Sequence, residues 1–100
     1  MIEGSLKTGD VVFVRRGKNN GKQFVVVRIE SETRVFIDDG RNYPVEKPKK
    51  KNVKHLQKRL MNLEDVAGRV AGGKPLDNGW LAQKVSVILD DGDTSWRQGG

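Results

Sequence analysis

The chain has 100 residues, no cysteine and a net charge of +6, with fifteen Lys and Arg against seven Asp and Glu in residues 1–60 and four against six in residues 61–100. This length bounds it to one domain with a small core, and the lack of cysteine excludes disulfides, thiolate zinc sites and thiol catalysis while suiting a reducing cytoplasm. No apolar stretch approaches the roughly 18 residues that span a bilayer, and Met1-Ile2-Glu3-Gly4-Ser5 lacks the basic flank and apolar run of a signal peptide, so neither a membrane partner nor secretion is expected.

In chain order, Thr8-Gly9-Asp10 is a turn and Val11-Val12-Phe13-Val14 a short β-branched run, which predicts a buried strand. Gly17-Lys18-Asn19-Asn20-Gly21 is a second turn, because glycine and asparagine tolerate positive φ. Phe24 to Ile29 is a longer strand with a continuous apolar stretch. Glu30-Ser31-Glu32-Thr33 turns the chain into a third strand, Val35-Phe36-Ile37. Asp38-Asp39-Gly40 carries a hairpin-type turn signal. Tyr43-Pro44-Val45 is expected as a brief strand, confined by Pro44 to an edge or a bulge. Val53 to Leu56, after a lysine run, is expected as the last. Closing five short strands on one another removes exposed edges, so the expectation for residues 1–60 is a mainly β domain built as a small, strongly bent barrel.

Residues 61–100 form a helical appendage in this reading. Asn62 caps a first helix, with Asp65 three residues on and Gly72-Gly73 ending it. Leu63, Val66 and Val70 then share one face. Pro75 opens a new segment, and Asp77 or Asn78 caps a second helix carrying Trp80, Leu81, Lys84, Val85 and Ile88. Against that helix, Val85-Ser86-Val87 alternates like a strand and Asp90-Asp91-Gly92 looks like a turn. Residues 93–100 are expected to fray.

Two segments concentrate the positive charge. Arg15, Arg16, Lys18 and Lys22, with Asn19, cluster around Gly17 and Gly21, where the backbone can approach a ligand and offer N–H groups. Lys47, Lys49, Lys50, Lys51, Lys54, Lys58 and Arg59, with His55 among them, place seven cations within thirteen residues. Such crowding is self-repelling until an anion neutralises it, and each phosphate so neutralised steepens the log–log salt dependence of binding by about 0.7–0.9. The plainer alternatives are a soluble β-turn for the first segment and a solvated loop or a nuclear-localisation run for the second.

The segment from Thr8 to Leu56 resembles a KOW domain, whose motif is an apolar strand, a basic Gly-rich turn and a β-branched strand. Here it runs Val11-Val12-Phe13-Val14-Arg15-Arg16-Gly17-Lys18-Asn19-Asn20-Gly21-Lys22-Gln23-Phe24-Val25-Val26-Val27-Arg28-Ile29. Many KOW motifs carry a further glycine where this chain has Phe24. That variant is similar to large-subunit ribosomal proteins of the L-fourteen-e type, found in archaea and eukaryotes, and to small bacterial KOW proteins related to them; the stretch from Pro48 to Gln57 strengthens the bacterial likeness. The resemblance covers about half the chain. It implies an SH3-like barrel and a cytoplasmic RNA-binding protein of the ribosome, with ribosomal RNA as partner and ribosomal proteins as neighbours. Some KOW domains of transcription elongation factors bind protein, so a protein-interaction adaptor in transcription or translation is the alternative.

Among the aromatic residues, Phe13, Phe24 and Phe36 are expected in the core. Tyr43, near Arg41 and Asn42, is expected either to stack on an unpaired base or to pack over the barrel mouth, with Arg41 as a further phosphate contact. Trp80 is expected to pack a helix against the barrel, and Trp96 to be exposed. An enzyme fails on inventory: His55 is the only histidine and sits among lysines, and Ser5, Ser31, Ser86 and Ser95 have no base nearby in sequence. Asp38-Asp39 and Asp90-Asp91-Gly92-Asp93 lack the alternating ligands and distal Glu of a calcium loop, so turns account for both. No cofactor, metal or small-molecule substrate is expected.

Overall fold

The computed structural model describes residues 6–17 and 19–99, those from 89 onward by backbone alone. Five antiparallel strands form one sheet: β1 (Asp10–Val14), β2 (Gln23–Ile29), β3 (Arg34–Asp38), β4 (Lys49–Asn52) and β5 (Leu56–Asn62). Their order is β4-β3-β2-β1-β5, a meander whose last strand returns beside the first. A 3-10 turn at Val53–His55 joins the two edge strands. Two helices follow, α1 (Glu64–Ala71) and α2 (Asn78–Gly99).

The apolar runs explain the layers. On β2, Phe24 and Val26 point to one face and Val25 and Val27 to the other, as strand pleating requires. The first face gathers Val12, Val14, Val35, Ile37 and Leu56 into the inner cluster. The second is covered by Val66 of α1 and by Leu81 and Val85 of α2. Register shifts interrupt β1 between Asp10 and Val12 and β2 between Val26 and Arg28, where bulges increase strand bending. Phe24 is fully buried in the inner cluster, while Phe36 is half-buried under the helices. Half-buried Trp80 packs against the outer cluster, with the Arg69 guanidinium 4.1 Å over its ring.

The first three strands fall where the sequence places them, and the last two do not. Tyr43-Pro44-Val45 is irregular, because its backbone donors are taken elsewhere: Asp39 Oδ1 accepts from Arg41, Asn42 and Tyr43, and Asn78 Oδ1 accepts from Val45. The lysine run itself supplies β4, pairing Lys51 with Val35 and Lys49 with Ile37. Lysine suits an edge strand, where its charge discourages pairing with another chain. Residues 53–55 form the 3-10 turn, and the last strand starts at Leu56.

Asn62 does not cap α1. Its side-chain amide donates to the Thr8 carbonyl and to Asp10 Oδ1, which ties the end of β5 to the start of β1. Leu63 precedes the helix instead, and Glu64 and Asp65 in the first turn favour its dipole. Asp77 does cap α2, accepting from the Trp80 N–H at 2.9 Å. The helix runs through Val85–Val87 and through the expected turn at Asp90-Asp91-Gly92, because burial of Leu81, Val85 and Ile88 at helical spacing outweighs local alternation. Its backbone continues across residues 93–99, where fraying was the expectation. Side chains there, Trp96 included, lie outside the described residues, as do Met1–Ser5. No helix among the described residues is long and apolar enough to cross a membrane.

Two tests follow from this packing. Gly40 has φ +75°, and a methyl group there would run into the Asn78 carbonyl oxygen and lie 2.8 Å from the Ala82 nitrogen. Gly21 has a similar φ, +88°, yet faces open space. Gly21→Ala should therefore lose only about 1 kcal/mol of backbone preference in urea unfolding, whereas Gly40→Ala should lose at least twice as much by unseating α2. The second concerns Asp38, which is fully buried, accepts from Gly40 N–H at 2.9 Å through Oδ1, and has no partner for Oδ2 among the described residues. Burial pushes its carboxyl from 3.8 up to about 6, with the Asp39 and Glu46 charges adding to the rise. The folded state then holds its proton more tightly than the unfolded chain. The contribution to stability is complete below the lower value and is lost as pH rises through the upper one. At 1.36 kcal/mol per pH unit the full swing is about 3 kcal/mol. Relative to the unaltered protein, Asp38→Asn should gain about 2–3 kcal/mol in unfolding free energy between pH ~4 and pH ~7.5.

Candidate nucleic-acid interface

The two basic segments, distant in sequence, meet at one end of the sheet. Val14 pairs with Leu56, and the next N–H, that of Arg15, donates to the His55 carbonyl at 2.8 Å. Arg15 and Arg16 leave β1 there, and Lys54 and His55 leave the 3-10 turn beside them. These four residues line an open hollow of about 410 Å³. Lys51 reaches the same region from β4: its ammonium nitrogen is 3.9 Å from where a Gly17 side chain would begin. Among the described residues no carboxylate lies within ion-pair distance of Arg15, Arg16, Lys51 or Lys54.

Lys22 and Arg41 sit apart from this group. They line a smaller hollow of about 270 Å³ beside α2, which also includes Asp39 and Ser86. Both oxygens of Asp39 are engaged, since Oδ2 accepts from the Asn42 side chain at 2.7 Å. Lys47 and Lys49 are exposed, without ion pairs among the described residues.

The other expected contacts have partners within the fold. Lys50 is 3.4 Å from Glu30 and 6.0 Å from the Phe36 ring centre, so alternation along β4 turns it away from Lys51. Lys58 is 3.6 Å from buried Asp10. Arg59 donates to Gln23 Oε1 at 2.5 Å and lies over Phe13. Asn19 is buried, and its amide donates to the Tyr43 hydroxyl. Tyr43 packs on the inner cluster with its ring centre 5.5 Å from that of Phe24. Lys18 lies outside the described residues. The Gly21 N–H donates to the Val14 carbonyl at 2.7 Å, so it closes the turn and does not face a ligand.

Two features of this region escaped the sequence reading. Gln23 orients Arg59, and Leu60 projects fully into solvent. The segment Leu56-Gln57-Lys58-Arg59-Leu60-Met61-Asn62 lacks clean alternation, so neither its strand character nor its exposed face stood out.

No protein-family model matches the chain, and no curated protein matches it either.

The buried Asn19–Tyr43 contact separates framework from interface. Asn19→Ala should lower stability by about 1 kcal/mol in urea titration and leave the salt dependence of polyanion binding where it was.

Proposed function

We propose that this protein is a non-catalytic, cytoplasmic RNA-binding protein of the KOW type, with an SH3-like barrel, that docks on structured ribosomal RNA as a component of the ribosome or an associate of it. The strand order and the 3-10 turn between the edge strands support the barrel. The observation that carries the functional reading is the convergence of Arg15, Arg16, Lys51, Lys54 and His55 on one end of the sheet, with no carboxylate in ion-pair reach of the four lysines and arginines among the described residues.

Cations held together without counter-charges repel one another. A ligand that supplies several negative charges at fixed spacing relieves that repulsion, and a phosphate backbone does so while releasing its own counterions. The hollow presents charge with little aromatic surface, which fits contact with backbone and shape over reading of single bases. Structured RNA fits these terms better than a base-specific DNA site, which would need a helix or ribbon presented to a groove.

The test is a salt titration of binding to ribosomal RNA, followed by fluorescence anisotropy between about 50 and about 200 mM salt. The combined variant Arg15→Gln, Arg16→Gln, Lys54→Gln should bind more weakly and lower the log–log slope by about 2. Lys50→Gln, which removes a charge already paired with Glu30, should leave the slope unchanged. A flat salt response in the unaltered protein, or equal losses in both variants, would overturn the proposal.

A further inference from the structure

β5 ends the sheet, with β1 as its single neighbour, and the Leu56 N–H bonds to the Val53 carbonyl, so the outer row of backbone groups is unpaired over residues 57–62 among the described residues. Beside this edge lies a hollow of about 750 Å³ with aliphatic walls from Leu6, Leu56 and Leu60 and a cationic rim from Arg15, Lys54 and Lys58. Leu60 is 101% exposed, a leucine held in water on a strand with free hydrogen-bonding capacity. We propose that this edge is a docking site for an extended, acidic polypeptide segment of another protein, which adds as a further strand to β5 and sets aliphatic side chains against Leu6, Leu56 and Leu60.

Each part of that partner answers something on the surface. Main-chain pairing satisfies the open edge, alternate side chains reach the aliphatic walls, and acidic residues between them meet the rim. No aromatic ring lines the hollow, so an RNA strand would find neither a stacking platform nor relief for the exposed leucine. A second copy of this chain is disfavoured as well, because β5 against β5 would bring Lys58 and Arg59 of one copy close to those of the other.

The experiment uses the full chain and a short fluorescein-labelled peptide of alternating Glu and Leu. The peptide should bind saturably, shift and protect backbone amides within residues 57–62 in NMR spectra, and leave those of β4 unmoved. Leu60→Ser removes an exposed side chain and keeps every charge, so the fold persists; it should weaken binding about tenfold, or 1.4 kcal/mol. No binding, equal binding by Leu60→Ser, or an equally large loss on Leu60→Ser for an oligouridylate of equal charge would each overturn the proposal. So would tenfold tighter peptide binding by a chain lacking residues 1–5, because the groove would then belong to its own N-terminal segment.

Discussion

The central strand β2 must be buried on both faces, and the remaining layers follow from that requirement. Phe24 and Val26 need one apolar layer and Val25 and Val27 need another. Full burial of a side chain of this type is worth about 1.5–3 kcal/mol, which makes exposure of either face a large fraction of a small domain's stability. The bent sheet supplies the first layer from its own neighbouring strands. It cannot supply the second, so Val66, Leu81 and Val85 come from the helices. Gly40 lets α2 approach the β3 end closely, because any side chain there would collide with the first turn of the helix.

With apolar residues on both sheet faces, the lysines and arginines of the two basic segments lie on the perimeter. Their placement there is uneven. Lys50, Lys58 and Arg59 are held by Glu30, Asp10 and Gln23, so their charges or donors are partly satisfied within the fold. Arg15, Arg16, Lys51 and Lys54 receive no such partners among the described residues, although acidic side chains occur elsewhere on the same small surface. What sets this end apart is the convergence of unpaired cations from separate chain segments, whose backbones are fixed by the Arg15–His55 hydrogen bond.

The legible parts of the fold were those in which burial and local preference agree. Val11–Val14, Phe24–Ile29 and Val35–Ile37 are β-branched, apolar and bounded by turn residues, and all three are strands. Lys49–Asn52 was illegible because lysine has little strand preference of its own; its strand state comes from β3, which offers a neighbour on one side and water on the other. Tyr43-Pro44-Val45 misled in the opposite sense, since its composition suits a strand but Asp39 takes the Tyr43 amide and Asn78 that of Val45. For the basic surface, the sequence shows which residues are cationic, whereas their counter-charges depend on pairings such as Lys58 with Asp10, which only tertiary structure decides.

The pairing of β1 with β5 has a kinetic consequence. Asn62 bonds to Asp10 across 52 positions of chain, while the pairings among β1 to β4 join only strands that follow one another in the chain. Contacts so distant in sequence must overcome the entropy of closing a long loop, and they form late. As the chain is synthesised, the four-stranded meander can assemble first, with the outer face of β2 bare until the segment beyond Asn62 has emerged. Completion of the sheet and arrival of its helical cover are thus coupled to the same stage of synthesis.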